Sequence, residues 1–478
     1  MSIDADAARQ AGEAFHRAAP RQSAKRVFHI TQACLLLAML GGLGFALYRD
    51  AGLTLAVLHL LAFALFACAI AWRLYAAASL LPAMTRLAAP ARWPTYTILC
   101  PLYREANVAP DLIAALGRLD YPIHALDIKL LIEADDVDTL AAALAVAPPH
   151  IEILTIAAVA PRTKPKALNA GLARARGEYV VVYDAEDRPH PQQLRAALAA
   201  FADGGPRLAC VQAPLSIDNG HASWISRQFA AEYAIQFREM LPLLARLGLP
   251  LPLGGTSNHF RTETLKAIGG WDPYNVTEDA DLGYRLARAH AECGIIGPPT
   301  WEEAPVTLGA WLSQRTRWIK GHMQTWLILM RNPFRCAHEM GLRNFAAMQL
   351  TLGAGLAAAF VHGPLAAIIA YALISPDNVL GAAGFTLALA GYCTAVFAAL
   401  TASALSNDLG HARAALTMLF YWPLASLAAY RALGELLLRP HYWRKTAHGV
   451  STRQRFAHLP AQPSAESAAS IAAISASG

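Results

Sequence analysis

Two apolar runs, from Val27 to Tyr48 and from Ala51 to Trp72, set the first limit on how this chain can fold. Each is as long as the roughly 20 mostly apolar residues that a helix needs to cross a bilayer. Only Arg49 and Asp50 separate them, so they read as a tight helical hairpin. Soluble cores rarely contain two such runs almost free of charge. Composition agrees: 55% of the 478 residues are hydrophobic and 15% are charged, against about 25% charged in an average soluble domain. Arg9, Arg17, Arg21, Lys25 and Arg26 precede the hairpin, and Arg73 and Arg86 follow it, which puts both ends on the cytoplasmic side. Residues 1–26 read as a polar, basic arm. The hairpin, 27–72, reads as a retained anchor, because no cleavage site follows its first run. Cysteines at 34, 68, 100, 210, 293, 336 and 393 stand singly and outside CxxC spacing, so they predict neither a zinc site nor a disulfide framework. The net charge of +6 suits lipid head groups or a phosphate-bearing ligand and does not call for nucleic acid.

From about residue 92 the pattern changes. The segments TYTILCPLYRE, HALDIKLLIEADD, IEILTIAAV and EYVVVYDAED read as strands. Helices are expected between them at 108–119, 137–147 and over KPKALNAGLARARG. This alternation predicts an α/β domain with a mostly parallel sheet and helices on both faces. Such sheets bind ligands outside the carboxyl ends of their strands, so the acidic ends of the second and fourth strands should share one crevice. Less regular structure follows: a helix at 191–202, a strand in RLACVQAPL, a long helix at 223–247, and NVTEDADLGYRLARA as a helix that Thr277 can cap. Beyond 344 the chain is apolar again. A run of about 30 residues with a Gly363-Pro364 break, a span at 379–405 and a span at 414–438 interrupted by Pro423 are expected. Three crossings would put the basic tail (439–478) outside and four would put it inside; the charge favours four. Residues 457–478 read as disordered.

Three clusters carry chemistry. In YDAEDRPHPQQL, Asp184 and Glu186 stand at a strand end, where two carboxylates can hold a divalent cation against a departing diphosphate. Lys166 and Asn169 of the preceding helix can face the same crevice, with Lys166 as a point charge for phosphate. In VTEDADLG, Asp279 with Glu278 beside it can supply a base that takes a proton from an attacking hydroxyl. In QRTRW, Gln314, Arg317 and Trp318 share a helix face: a guanidinium for phosphate and a flat ring for a sugar. The helix beyond, IKGHMQTWLILM, can lie in the membrane interface. Taken singly, each has a plainer reading as a solvated turn, a capped helix start or an interfacial helix.

The ordered set PLYRE, DAED, TED and QRTRW between apolar runs resembles the family 2 glycosyltransferases, in particular the membrane-embedded processive branch of cellulose and mannan synthases. The resemblance spans about 95–330. It implies a GT-A type nucleotide-sugar domain at 92–310, a QxxRW segment at 311–343 and three or four transmembrane helices at 344–438. It implies a multi-pass protein of the inner or plasma membrane with a cytoplasmic catalytic domain. Tyr103, Glu105, Glu133 and Asp135 would line the nucleotide pocket, with EADD standing where the family has an Asp-Asp pair. Lys166, Asn169, Asp184, Gln314, Arg317 and Trp318 would hold the donor, and Asp184 and Glu186 would bind Mg²⁺ or Mn²⁺. Gly255, Thr256, Ser257 and Trp318 would flank the acceptor, with Asp279 as base beside Glu278. The implied reaction is inverting hexosyl transfer from UDP-glucose or GDP-mannose to a growing β-linked glycan, coupled to export, with periplasmic or regulatory subunits as partners. No cyclic-dinucleotide domain follows the last apolar run. Two alternatives remain open: single-sugar transfer to a lipid or lipid phosphate, and an inactive membrane scaffold or transport subunit.

Overall fold

A computed structural model of the chain describes residues 1–80, 86–374 and 381–443. The expected basic and disordered tail lies outside these residues beyond 443. The chain opens with β1 (Ser2–Ile3) and α1 (Ala5–Ala18), then α2 (Ile30–Arg49) and α3 (Ala51–Ser79). At about 1.5 Å per residue α3 extends some 44 Å, enough to cross a hydrocarbon core and continue beyond it. No residue of α2 is buried, and Leu35, Leu36, Leu60 and Leu61 are exposed on the pair's surface. Apolar surface of that extent fits lipid contact.

The catalytic half contains β2 (Tyr96–Leu102), α4 (Ala109–Leu116), β3 (Leu126–Glu133), α5 (Val137–Val146), β4 (Ile151–Ile156), α6 (Lys164–Ala173) and β5 (Tyr179–Val182). It continues through β6 (Arg188–Pro189), α7 (Gln193–Asp203), β7 (Leu208–Gln212), β8 (Leu215–Ile217), α8 (Trp224–Ile235), α9 (Leu241–Arg246), β9 (Asn258–Arg261), α10 (Thr262–Ala267), α11 (Glu278–Arg288), β10 (Glu292–Ile295) and β11 (Thr300–Glu302). The main sheet has the order β1-β4-β3-β2-β5-β9-β7-β10, with a small sheet β6-β11-β8 beside it. β1, β4, β3, β2 and β5 run parallel, and β9 is antiparallel to both β5 and β7. Strands such as β2 are apolar and buried nearly throughout, as a sheet covered on both faces requires. β3 and β5 both end at the same edge, so Glu133 and Asp184 open into one cavity. The long helix expected at 223–247 forms with a wider π turn at Gln236–Met240 between α8 and α9.

Residues 1–26 differ from the expected loose arm. β1 adds an edge strand to the sheet, pairing Ser2 with Thr155 and Ile3 with Ile156. The N-terminal ammonium donates to the Ile153 carbonyl at 2.9 Å. α1 buries Ala8, Gly12 and Phe15, one face of the helix, and the Arg285 guanidinium sits over the Phe15 ring at 4.4 Å. The turns that follow cross the loop before α11. Asp272 accepts from the Ala24 N–H at 2.5 Å and from the Ser23 hydroxyl at 3.3 Å, and Lys25 reaches Glu13 at 2.6 Å.

After β11 come α12 (Leu308–Leu329), α13 (Pro333–Met340), α14 (Leu342–Met348), α15 (Ala354–Ile374), α16 (Gly381–Ser406), α17 (Leu409–Ala415), α18 (Met418–Tyr421) and α19 (Leu424–Leu438). α12 buries Ile319, Lys320, Met323, Gln324 and Thr325 between the catalytic half and α19, and Lys320 pairs with Glu435 at 3.1 Å. The run from Leu342 to Ile374 is one long apolar stretch. Its irregular turn is a π turn at Gln349–Gly353, and α15 continues through Pro364 instead of breaking at Gly363-Pro364. Gly363 there donates its N–H to Ser426 Oγ at 2.7 Å. The expected span at 414–438 is replaced by α17, α18 and α19. Pro423 separates the last two, and α19 has 15 residues, too few to cross a bilayer. α17 docks on α8 instead, through Gln228 Nε2 to the Ala414 carbonyl and the Thr417 hydroxyl, each at 2.8 Å. Four helical stretches among the described residues are long and apolar enough to cross a membrane: Ile30–Arg49, Ala51–Ser79, Leu342–Ile374 and Ala383–Ser406.

Candidate active site

β5 ends at buried Val182, buried Tyr183 follows, and the chain turns outward so that Asp184 and Glu186 line the cavity. Lys164, at the start of α6, places its ammonium 2.5 Å from Asp184 Oδ1 and 2.7 Å from the Gly255 carbonyl. It thereby joins the end of β5 to the loop before β9. Burial by itself would lower the Lys164 pKa, but Asp184, Glu278 and Asp279 outweigh it and raise the value above the ordinary one. Asp187 is buried. Its Oδ2 accepts from the Asp184 N–H at 2.7 Å and from the Thr256 hydroxyl, while Oδ1 has no partner. Burial, then the charges of Asp184 and Glu186, push the Asp187 carboxyl well up. Glu302 on β11 is raised in the same way by burial and by Asp187, Glu186 and Asp184.

A metal can be tested against this arrangement. The carboxylates repel one another around a single ammonium, and a buried carboxylate oxygen is orphaned, so the donor set favours a further positive charge. Among the described residues no group of three or more His, Cys, Asp or Glu side chains is placed to hold a metal alone. Asp184 and Glu186 therefore suit a hard divalent ion that takes its remaining oxygens from phosphate and water.

α11 starts at Thr277, but the Thr277 hydroxyl does not cap it and lies instead 3.5 Å from Asn275 Oδ1. The reason is the close approach of α12. A Cβ on Gly321 would stand 2.3 Å from Thr277 Oγ1, so only glycine lets the two helices meet here. Burial and then neighbouring Asp279 raise the Glu278 pKa to about 7. Asp279 is raised by burial and held down by Lys164. A Cβ on Gly255 would lie 3.2 Å from Asp279 Oδ2 and 4.0 Å from both Asp184 Oδ2 and Lys164 Nζ. Gly255 thus stands at the centre of these three groups, and the missing side chain leaves the space between them open.

Gln314, Arg315, Arg317 and Trp318 of QRTRW line the same cavity. Gln314 Oε1 and Arg317 Nε are buried without partners. Arg317 acts electrostatically on Asp279 and lies over the Trp443 ring at 5.6 Å. Trp318 packs against Phe229 and Tyr233 at 5.7 and 6.1 Å between centroids. Between them Arg315 holds both oxygens of Glu232 and fixes α12 to α8.

At the far end Tyr103, Glu105 and Glu133 line the cavity. Arg162 stacks over Tyr103 at 5.4 Å and holds Asp135 at 2.5 Å on the rim. Glu133 gives one oxygen to Lys166 at 2.7 Å, and its Oε2 is buried without a partner. Burial raises its pKa despite Lys166.

Three expected residues lie elsewhere. Lys166 is fully buried behind α6, donating to Glu133 and to the Val159 carbonyl at 3.0 Å, and does not reach the cleft. Asn169, one turn on, clamps Trp271, accepting its N–H at 3.0 Å and donating to its carbonyl at 2.8 Å. Ser257 is buried with its hydroxyl 2.6 Å from Thr300 Oγ1, while Gly255 and Thr256 face the cavity. Lys164, missed in the sequence, takes the place expected of Lys166. Its only signal was that KPK carries two lysines, of which Lys164 is the first.

These groups share one cavity of about 1270 Å³. It runs from Tyr103 past Asp184 and Asp279 to a wall formed by α3, α15 and α16, including Phe63, Phe66, Leu365 and Leu387.

Comparison with known proteins agrees with this arrangement. The profile described as Glycosyl transferase family group 2 matches residues 179–426. A beta-monoglucosyldiacylglycerol synthase of Synechocystis sp. is 26% identical over 280 residues, which cover 57% of this chain and 57% of that protein. The chain thus spans little more than half of that relative. Glucomannan 4-beta-mannosyltransferase 2 of Arabidopsis thaliana is 28% identical over 33% of this chain and 30% of its own length. A mannosyltransferase from Pyrobaculum calidifontis, solved with GDP-Man and Mn²⁺, covers 78% of this chain and 99% of its own at 20% identity and a TM-score of 0.47. With the profile spanning half of the sequence and the sheet in the mixed order of a GT-A domain, the chain belongs to the family 2 glycosyltransferases.

Proposed function

We propose that the chain transfers one hexosyl unit, with inversion, from a nucleoside diphosphate sugar to the hydroxyl of a membrane lipid. The observation that carries this is the cavity, which continues from the carboxylate cluster to an apolar wall between α3, α15 and α16. A lipid can lie there with its head group at Asp279 and its chains against the helices. The acceptor oxygen attacks the anomeric carbon, and its proton passes to Asp279. The bond to the diphosphate breaks, and its electron pair leaves with the phosphate. Lys164 and Arg317 are the cations beside that leaving group, and Trp318 offers a flat face to the sugar. Asp184 and Glu186 would hold Mg²⁺ or Mn²⁺, which would neutralise the developing charge on the diphosphate. The relatives named as glucolipid synthases are consistent with this reading.

Chain extension is the second reading, favoured by the aromatic cluster of Trp318, Tyr233 and Phe229 beside the cavity, which suits a platform for successive sugars. Reconstituted protein supplied with a nucleotide-sugar panel, Mn²⁺ and diacyl lipids tests both. A lipid carrying one added hexose supports the first reading. A polymer formed without lipid acceptor overturns it in favour of the second.

A further inference from the structure

The membrane-side end of the cavity collects hydrogen-bond donors that lack acceptors. Arg73 of α3 lines it, and its guanidinium lies over the Trp422 ring at 5.4 Å with no hydrogen bond or ion pair among the described residues. The Trp422 indole N–H is buried without a partner, and the His362 ring stacks on Trp422 at 5.8 Å. The Tyr392 hydroxyl, from α16 in the same lining, is also buried without a partner. Glu232 lies within electrostatic reach of Arg73, but its oxygens are already taken by Arg315 and by the Tyr421 hydroxyl at 2.8 Å. One positive charge therefore remains uncompensated in a largely apolar enclosure, which is unfavourable unless an anion joins it.

The height of Arg73 is informative. It follows the hairpin turn at Asp50 by about 35 Å of helix at ~1.5 Å per residue, slightly more than the ~30 Å hydrocarbon core. That is the head-group level of the leaflet beside the catalytic half. Below it the wall is apolar, with Phe63, Phe66 and Leu365.

We propose that Arg73, with the Trp422 N–H beside it, forms an anion subsite that seats the phosphate of the acceptor's head group, so that the acceptor is a phosphate-bearing lipid. This rests on the lipid-acceptor reading above. The phosphate anchors the lipid at the membrane end of the cavity while a hydroxyl of the same head group reaches towards Asp279. Neither the nucleotide pocket nor the metal pair is involved.

The test uses the full chain in a nonionic, phosphate-free detergent, with phosphatidylglycerol or diacylglycerol as acceptor and products read by mass spectrometry. Phosphatidylglycerol should have the lower KM. Arg73→Gln should raise that KM about tenfold, the loss of one charged hydrogen bond, and Arg73→Lys should restore most of it. The KM for diacylglycerol should be the same in wild type and Arg73→Gln. Equal KM values for phosphatidylglycerol in wild type and Arg73→Gln would overturn the subsite. So would loss of co-purifying phospholipid in Arg73→Gln without any change in KM, which marks a structural lipid only. Transfer to diacylglycerol alone would overturn the subsite and leave the lipid reading standing. A soluble glycan extended in place of any lipid would remove both.

Discussion

Replacing Lys164 with Gln should move the acid limb of the pH–rate profile upward by about one pH unit. Asp279 Oδ2 and Lys164 Nζ both lie within 4.0 Å of the point where a Cβ on Gly255 would stand, so no more than about 7 Å separates them. At that distance unit charges interact by ~2.4 kcal/mol for an effective dielectric of about 20 and by ~0.6 kcal/mol in bulk water. Neither Lys164 nor Asp279 is fully buried, so an intermediate ~1.3 kcal/mol, or about one pKa unit, is expected. The sign follows from the charges. Lys164 lowers the Asp279 pKa against burial, which raises it, and lowers that of Glu278 as well. Without the ammonium both carboxyls hold their protons to higher pH, and Asp279 accepts one only after releasing its own. Glu278→Gln should leave the limb nearly in place, because Glu278, raised to about 7 by burial and by ionised Asp279, is already neutral where Asp279 titrates. The measurement is kcat for sugar transfer from about pH 5 to 9 at saturating donor and Mn²⁺. Parallel shifts in the two variants, or none, would refute the electrostatic account of this site. A fall in kcat for Lys164→Gln with an unmoved limb would mean that Lys164 serves the diphosphate alone.

Asp279→Asn should reduce transfer by roughly 10²–10⁴-fold, with donor affinity retained in a nucleotide-binding assay. Gly255→Ala should lower kcat, because the new methyl would lie 3.2 Å from Asp279 Oδ2 and intrude between it and Asp184. A fully active Gly255→Ala enzyme would show that this space is not used. Asp184→Asn should raise the Mn²⁺ concentration needed for half-maximal activity, as measured by metal titration after chelation. Asp272→Ala should lower the melting temperature, since the Ala24 N–H and Ser23 hydroxyl lose their acceptor, an effect of about 1–3 kcal/mol.

The alternation of strands and helices was legible because β2, β3 and β5 are short apolar runs that end in polar turns. The carboxylates were legible because parallel strands deliver their ends to one edge. Side-chain direction was harder to read. Lys164 and Lys166 flank Pro165 at the start of α6, and which one meets the cleft depends on the angle at which the helix enters. Lys166 and Asn169 are one turn apart, so they share a face and turn away together. Ser257 follows Thr256 out of a bend and just before β9, where strand alternation does not fix the side a residue faces. Its φ of 58° adds a local twist that a strand pattern does not announce. β1 spans two residues, below the length at which periodicity can be recognised. The apolar segment 409–438 carries the same composition whether it meets lipid or α8, so only the partner distinguishes the two.

That segment bears on how the chain crosses the membrane. β1 is hydrogen-bonded into the catalytic sheet, so the N-terminus lies on the catalytic side. The chain beyond α19 returns to the same half. Lys320 donates to the Tyr442 carbonyl at 2.6 Å and Gln324 to the Pro440 carbonyl at 2.9 Å, and the His441 ring lies 3.2 Å from the Lys25 and Tyr274 carbonyls. Both ends of the described chain are thus fixed to one side, so a membrane embedding would need an even number of crossings. The four candidate stretches would satisfy that count: α2 with α3, and the stretch 342–374 with α16, since α17 docks on α8 of the catalytic half as soon as α16 ends. The conflict between charge and segment count disappears once 414–438 is removed from the spans. Arg439 and His441 then lie beside the catalytic half without any need to divide the long apolar run in two. The same pairing explains why Arg73 and Trp422 meet. α3 returns from its hairpin at the level where α18 and α19 rest on α12, and the cavity is roofed where these elements converge.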